Sequence, residues 1–428
     1  MKRAIVLCGG GSLGSYEIGV WKYIKKANIS FDIVTGTSIG AINGALFAAG
    51  DYENAVHLWN QVGVDKVIKN GIDFPRDFLQ EFDWKHDIGK LQVLAKTYIS
   101  NKGADISPFM DWVKKVVPVK DVKNSPVTLG VVTTSFPGRK EIDVVLNDVP
   151  EENILDYLHA SSACYPVFPV YSFNGKSYID GGYCNNLPID FAIRLGAEEI
   201  IAVLLRAVPK VPQHKELMEL PFVTTVRPSH DTGSIMNFNR DVCLDNMKLG
   251  YLDACKAFGK YGGYTYAFKL KKKDQAIASA FALQLVREFP NEYFHIADKL
   301  TLEDFKVKTS MDMLLRTLEV LGDKLGIDYL KVHSLHSFIK ECLKIIKKPQ
   351  HQDAGAKFAL RKIPTLRLLS EDWPNLIYWA ESVFSKNQQC DRIMKIAHAS
   401  LETAPIITLF SFLHSSPLGQ SLLPKESK

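Results

Sequence analysis

Gly36-Thr37-Ser38-Ile39-Gly40 follows the apolar run Phe31-Asp32-Ile33-Val34-Thr35 and leads into Ala41-Ile42-Asn43-Gly44-Ala45-Leu46-Phe47-Ala48-Ala49. That order reads as strand, tight turn, helix. A serine in the pattern G-x-S-x-G at such a junction is a nucleophile elbow, in which the turn lifts the hydroxyl clear of the sheet. Gly36 and Gly40 stand where a larger side chain would meet crowded backbone. The helix beginning just after Ser38 aims its free N–H groups and positive dipole end at the same place. An ordinary strand-to-helix turn with a solvated serine fits the five residues equally well, so the rest of the chain has to decide.

Upstream, Arg3-Cys8 reads as a first strand, and Gly9-Gly10-Gly11-Ser12-Leu13-Gly14 as a glycine loop before a helix from about Ser15 to Ala27. Successive N–H groups in such a loop form an anion-binding nest. The loop alone admits two readings. One is an oxyanion hole built from Gly9, Gly10, Gly11, Ser12 and Gly14. The other is a dinucleotide frame at Gly9, Gly11 and Gly14, which no acidic residue closes convincingly, and the G-x-x-x-x-G-K-[ST] phosphate loop is absent. The elbow one unit later favours the oxyanion reading.

A serine nucleophile also needs a base. None of the eleven histidines sits at a strand end. His57 and His159 lie in helical patterns and read as surface or packed residues. Asp180 is the better candidate. It ends the run Ser177-Tyr178-Ile179 and meets Gly181-Gly182, which places a carboxylate at a sheet edge where α/β sites form. A turn is the competing reading of Asp-Gly-Gly.

The first ~210 residues alternate apolar strand-like runs with helical patterns, the signature of an α/β fold with a mainly parallel sheet. Strands are expected at Val127-Val132, Ile142-Leu146, Val170-Phe173, Ser177-Ile179 and Glu199-Leu205, and a short helix over Glu152 to Ser162. Asp51 to Val122 reads as mostly helical and includes Phe78, Phe82 and Trp84. Pro209, Pro212, Pro221 and Pro228 suggest a connecting region, and from about Leu244 the periodicity is helical.

The bulk numbers bound the function. At 428 residues the chain exceeds the size at which one core stops growing, so two structural parts are expected. A net charge of +5 is too small to argue for nucleic acid. Seven scattered cysteines, without a C-x-x-C pair, suggest free thiols in a reducing compartment. No cofactor or metal is implied. Met1-Lys2-Arg3 and the apolar run after it read as a strand rather than a secretory leader, and no uncharged apolar run approaches the ~20 residues of a membrane span. The expectation is a cytoplasmic protein, peripheral at membranes, of open oligomeric state. Lys269, Lys271, Lys272 and Lys273, with Lys340, Lys344, Lys347 and Lys348, read as solvated faces or as contacts to anionic lipid. Ala404 to Leu413 reads as a core helix ahead of a membrane-inserting lid.

The ordered set Gly9-Gly14, Gly36-Gly40 and Asp180-Gly182 resembles the patatin-like phospholipase family. So do Tyr16-Glu17-Ile18-Gly19-Val20, Ala160-Ser161-Ser162-Ala163 with Pro166 and Phe168, Gly175-Lys176-Ser177-Tyr178-Ile179, Asn186-Leu187-Pro188, Arg227-Pro228-Ser229 and Gly250-Tyr251-Leu252-Asp253-Ala254. The resemblance covers residues 1 to about 268. It implies a three-layer α/β/α acyl hydrolase domain at 1–268, followed by a helical region at 269–428. It also implies a Ser38–Asp180 dyad acting on lipid esters, with the glycine-loop amides as oxyanion hole. A lipid transacylase and a catalytically silent lipid binder are the alternatives. The family's loop usually carries Lys or Arg before its last glycine; this chain has Leu13, which leaves head-group preference open.

Overall fold

The computed structural model describes residues 1–63, 107–165, 167–206, 214–302 and 305–348. Beyond these it describes 350–351, 353, 355, 373–386, 393–394, 397–398, 401 and 403–424. Phe78, Phe82, Trp84, Pro166, Pro209 and Pro212 lie outside the described residues. The chain divides into two compact units, Met1–Ala257 and Phe258–Lys428.

The first unit is built on an eight-stranded sheet. β1 (Arg3–Leu7) lies between β2 (Ile33–Thr37) and β7 (Glu199–Val203). β2 pairs with β3 (Thr128–Phe136) and β7 with β8 (Val223–Val226), all in parallel. The inner strands read as unbroken apolar runs because both faces are covered. On one face Ala4, Val6, Ile33, Ile200 and Ala202 pack with Leu187, Ile189 and Ala192 at the helix Ile189–Arg194. On the other face, Gly44 of α2 (Ile39–Ala49) lies against Leu7, Val34 and Leu129. The result is the expected helix–sheet–helix layering. β8 is a correction to the sequence reading, which took the proline-rich stretch after Pro209 as a connection; Val223–Val226 instead forms a parallel edge strand.

The sheet is mixed, and the departure from parallel is what places the site. β4 (Glu141–Val145) runs antiparallel to β3, with Gly130 to Thr134 of β3 opposite Val145 to Glu141. β6 (Lys176–Asp180) is also antiparallel to β3, and pairs only with Thr133 to Phe136. β4 occupies one edge of β3 across residues 130–134. β2, opposite 128–132, and β6, opposite 133–136, must therefore both lie along the other edge. They sit end to end there and run towards each other. β5 (Tyr171–Phe173) completes a hairpin with β6 through the turn at Asn174-Gly175.

α1 (Ser15–Lys26) packs against the helix Arg240–Ala257. Gly19 faces the Met247 carbonyl, and Gly250 faces the Tyr16 carbonyl so closely that a Cβ has no room at either position. Asp253 locks this crossing. It accepts from the Tyr16 hydroxyl (2.9 Å), the Ser229 hydroxyl (2.7 Å) and the Ser229 N–H (3.0 Å), and pairs with Lys256 at 2.8 Å. The familiar-looking segments around Ser229 and Asp253 are thus one buried polar joint.

The second unit is helical apart from a two-stranded parallel pair, β9 (Ala267–Phe268) and β10 (Val332–His333). Its core joins Phe268, Phe281, Leu314, Leu318, Phe338 and Phe410. Ala404, Pro405, Ile406, Ile407, Leu409, Phe410, Phe412 and Leu413 of the helix Ala404–Ser415 are buried, so this stretch is core. Lys269, Lys271, Lys272, Lys273, Lys340, Lys344, Lys347 and Lys348 are exposed. Among the described residues no helix is long and apolar enough to cross a membrane.

Gly250→Ala is expected to destabilise the first unit by about 2–3 kcal/mol, since the added methyl must push the crossing helices apart. Urea unfolding followed by tryptophan fluorescence measures it; an unchanged midpoint would show that the crossing has slack.

Candidate active site

Ser38 follows Thr37, the last residue of β2, and caps the N-terminus of α2. Its backbone is at φ 55°, ψ −124°, a conformation L-residues rarely adopt and one that costs of order 1–3 kcal/mol. The surroundings hold it there. The Ser38 N–H donates to the Ser161 hydroxyl at 2.9 Å, and that hydroxyl donates to the Val132 carbonyl at 2.7 Å. Gly36 lies directly against the Gly40 carbonyl, and a Cβ on Gly40 would stand 2.6 Å from the Leu7 oxygen. Both glycines of the elbow are therefore forced by the close approach of its two arms and of β1.

Asp180 ends β6 opposite Thr133, one residue beyond the Val132–Thr37 pair. The head-to-head strands bring the two chain ends together, and the Ser38 hydroxyl lies near enough to the Asp180 carboxylate to pull its pKa down. Asp180 does lie at the C-terminal end of the parallel strands, as its sequence context suggests, but its own strand arrives from the opposite direction. Its Oδ1 also accepts the Gly182 N–H at 2.8 Å, and its own N–H donates to the Ala163 carbonyl at 2.8 Å. Burial dominates its electrostatics and raises its pKa from 3.8 to about 6, against the opposing pull of Ser38 and Gly182.

The glycine loop lies against the elbow, with Gly9 within reach of the Ser38 Cβ. Not all of its amides are free. The Gly9 N–H donates to the Asn186 carbonyl (3.1 Å), the Ser12 N–H to the Ile235 carbonyl (2.9 Å) and the Leu13 N–H to the Gly10 carbonyl (3.2 Å). Among the described residues, the Gly10 and Gly11 N–H groups have no acceptor. The oxyanion capacity expected of the whole loop thus narrows to Gly10 and Gly11, with Gly9 and Ser12 shaping the loop and Gly14 closing the short 3-10 turn Gly11–Gly14.

In sequence, the segments of Ser161 and Asn186 enter only as part of the resemblance and neither is given a role, and Asn185, Ser234 and Ile235 are not singled out. Ser161 fixes the elbow, yet a helix-end serine carries no signal of that role. Asn186 donates to the Gly9 carbonyl at 3.1 Å, while the neighbouring Asn185 carbonyl accepts from the Thr37 hydroxyl at 2.7 Å. The turn after Asp180 therefore ties all three motifs together. Ser234 and Ile235 strap the loop from outside, with the Ser12 hydroxyl donating to the Ser234 carbonyl at 2.9 Å.

Neither His57 nor His159 hydrogen-bonds Ser38 or Asp180. His57 is exposed on α3 (Tyr52–Asn60). His159 is buried, its ring centroid 5.6 Å from that of Tyr171, and burial lowers its pKa to about 4, so it is neutral. Among the described residues no group of His, Cys, Asp and Glu is arranged to hold a metal ion.

A strained serine elbow on a mixed α/β sheet, facing a buried carboxylate and a glycine loop with free amides, defines a class of serine–carboxylate α/β proteins. Residues 5–193 match the model of the family described as Patatin-like phospholipase, so the chain carries a patatin-like phospholipase domain. A lysophospholipase NTE1 of Meyerozyma guilliermondii is 27% identical over 209 residues, covering 46% of this chain and 12% of that protein. Patatin-like phospholipase domain-containing protein 6 of Homo sapiens is 26% identical over 202 residues, covering 47% of this chain and 13% of that protein. The chain thus matches only a small part of the length of these curated relatives. The crystal structure of VipD from Legionella pneumophila aligns over 99% of this chain and 88% of its own, at 13% identity and a TM-score of 0.38.

The raised Asp180 pKa has a stability consequence. Unfolded, the carboxyl titrates near 3.8; folded, near 6. Folding stability from its proton is complete below pH 4 and is lost as pH rises through 6, leaving a cost of about 3 kcal/mol at pH 7.5. Asp180→Asn keeps the shape without the charge. It is expected to raise the melting temperature by several degrees at pH 7.5 and to leave it nearly unchanged at pH 4. Equal effects at both pH values would refute the buried-charge account.

Proposed function

We propose that the protein is a serine acyl hydrolase acting on phospholipid or lysophospholipid esters at a membrane surface. The observation that carries this reading is the Ser38 hydroxyl set beside the buried Asp180 carboxylate by two strands that meet end to end. The family match to residues 5–193 supports lipid esters as the substrate class.

On this reading Ser38 Oγ attacks the ester carbonyl carbon while its proton passes to Asp180. The carbonyl oxygen becomes an oxyanion and accepts from the Gly10 and Gly11 N–H groups. Such preorganised donors need no reorientation as charge develops, and one of them is worth about 3–4 kcal/mol in comparable sites. The tetrahedral intermediate collapses, the C–O bond to the glycerol oxygen breaks, and Asp180 returns the proton to that oxygen. Water then attacks the Ser38 ester with Asp180 again taking the proton; the acyl–Oγ bond breaks, Asp180 returns the proton to Ser38 Oγ, and a fatty acid is released. A carboxylate with a pKa near 6 is a stronger base than an ordinary aspartate and is still mostly ionised at neutral pH.

Ser38→Ala is expected to lower ester turnover by about a thousandfold or more and to abolish labelling by a fluorophosphonate probe; retained activity would sink the assignment. The pH profile tests Asp180 separately. The base must be ionised, so kcat/KM rises about tenfold per pH unit below about pH 6 and is flat above it. An inflection near 4 would show that burial does not tune the catalytic base.

A further inference from the structure

The strand order reverses at β1. The chain steps from β1 to β2 and β3 on one side, and from β7 to β8 on the other. In open α/β sheets ligands bind beyond the carboxyl ends of the two strands that flank such a reversal. Here the loop after β1 is Gly9–Gly14, and the residues after β7 are Leu204, Leu205 and Arg206. Because Leu7 pairs with Val203, Gly10 and Arg206 each stand three residues beyond that last pair. The side chains confirm the alignment: a Cβ on Gly10 would lie 2.8 Å from Leu205 Cδ1. Thr232 fixes the far side, its hydroxyl donating to the Leu205 carbonyl at 2.8 Å.

We propose that Arg206, set across the strand-order reversal from the free Gly10 and Gly11 amides, binds the phosphate of a glycerophospholipid substrate. The proposal rests on the hydrolase reading above and names the residue that selects the head group.

Four observations carry it. Arg206 is half-buried, and among the described residues it makes no hydrogen bond or ion pair. Asp231, the acid whose charge reaches it, is exposed and accepts the Gly233 N–H at 2.9 Å. A partly desolvated guanidinium without a bound acid is poised for an anion that its planar donors match bidentately. Arg206 is also close enough for its charge to act on the Cys8 thiol, which feels Asp180 as well, yet it does not figure among the groups that shift Asp180. Its charge thus reaches the end of β1 that leads into the glycine loop. Finally, the glycine loop holds no cation of its own. Leu13 is 1% exposed and packs inward, so the neighbouring strand provides the charge.

The test compares two esters of equal acyl length, a lysophosphatidylcholine and the corresponding monoacylglycerol, in wild type and Arg206→Gln, with Arg206→Lys as partial restoration. The selectivity ratio, kcat/KM for the phosphate-bearing ester over the neutral one, is expected to fall at least about tenfold in the Gln variant. Lysine should recover part of it. An unchanged ratio, including equal losses on both substrates, would overturn the proposal. Binding is read independently of turnover, by calorimetry with dihexanoylphosphatidylcholine on Ser38→Ala and on Ser38→Ala with Arg206→Gln. Equal affinities there also overturn it. If wild type cleaves neither ester, the hydrolase reading fails, and the calorimetric difference still decides whether Arg206 holds phosphate.

Discussion

The structure depends on two strands sharing one edge of a third. β2 ends opposite Val132 and β6 ends opposite Thr133, on the same side of β3 and in opposite directions. Nothing else would bring a residue near position 38 against one near position 180 with so little intervening structure. Because both ends are pinned by ladder hydrogen bonds to the same strand, their separation is set by sheet geometry rather than by loops. That rigidity lets the elbow keep a strained serine: Ser38 at φ 55° is held by Ser161 and by the close approach of Gly36 to Gly40.

The turn after Asp180 extends that constraint to the third motif. Asn185 and Asn186 face opposite neighbours, one accepting from Thr37 of the elbow and the other exchanging bonds with Gly9 of the loop. The glycine loop is thereby positioned from the carboxylate side, while Ser234 and Ile235 strap it from the other. Held on both sides, the loop has two amides left over, at Gly10 and Gly11. A loop less completely tied would turn more of its donors to solvent and give none of them a fixed direction.

The elbow was legible in sequence because its chemistry is local. A strand, a G-x-S-x-G turn and a helix each announce themselves within a dozen residues. Asp180 was legible as a strand end before two glycines. The direction of its strand was not, since an apolar run of five reads the same in either orientation and only the pairing partner decides. β8 was hidden by the prolines around it, and the strap at Ser234–Ile235 by the same impression of a connecting region. Ser161 and Asn186 act on backbone groups far away in the chain, contacts that leave no periodicity or spacing to detect. Cys8, by contrast, stood before the glycines without an assigned role; burial and the nearby Glu17 push its thiol up to about 12.

Two carboxyl groups are buried near the glycine loop, and comparing them shows why geometry has to precede electrostatics in assigning a base. Glu17 is fully buried on α1, and burial raises its pKa well above the usual carboxylate value. By pKa alone it is as unusual as Asp180. Its partners differ in kind. Glu17 Oε2 accepts from the Asn43 side chain at 2.7 Å, and Oε1 has no hydrogen-bond partner among the described residues. Asn43 in turn holds the Gly14 carbonyl at 2.9 Å and accepts from the Trp59 indole at 3.2 Å. Those contacts join α1, α2 and α3 behind the loop, and they give Glu17 no hydroxyl whose proton it could take. Asp180 faces the Ser38 hydroxyl and accepts one backbone amide, that of Gly182. The same desolvation thus raises the pKa of both acids, and what separates them is what each carboxyl faces: the Asn43 amide for Glu17, the Ser38 hydroxyl for Asp180.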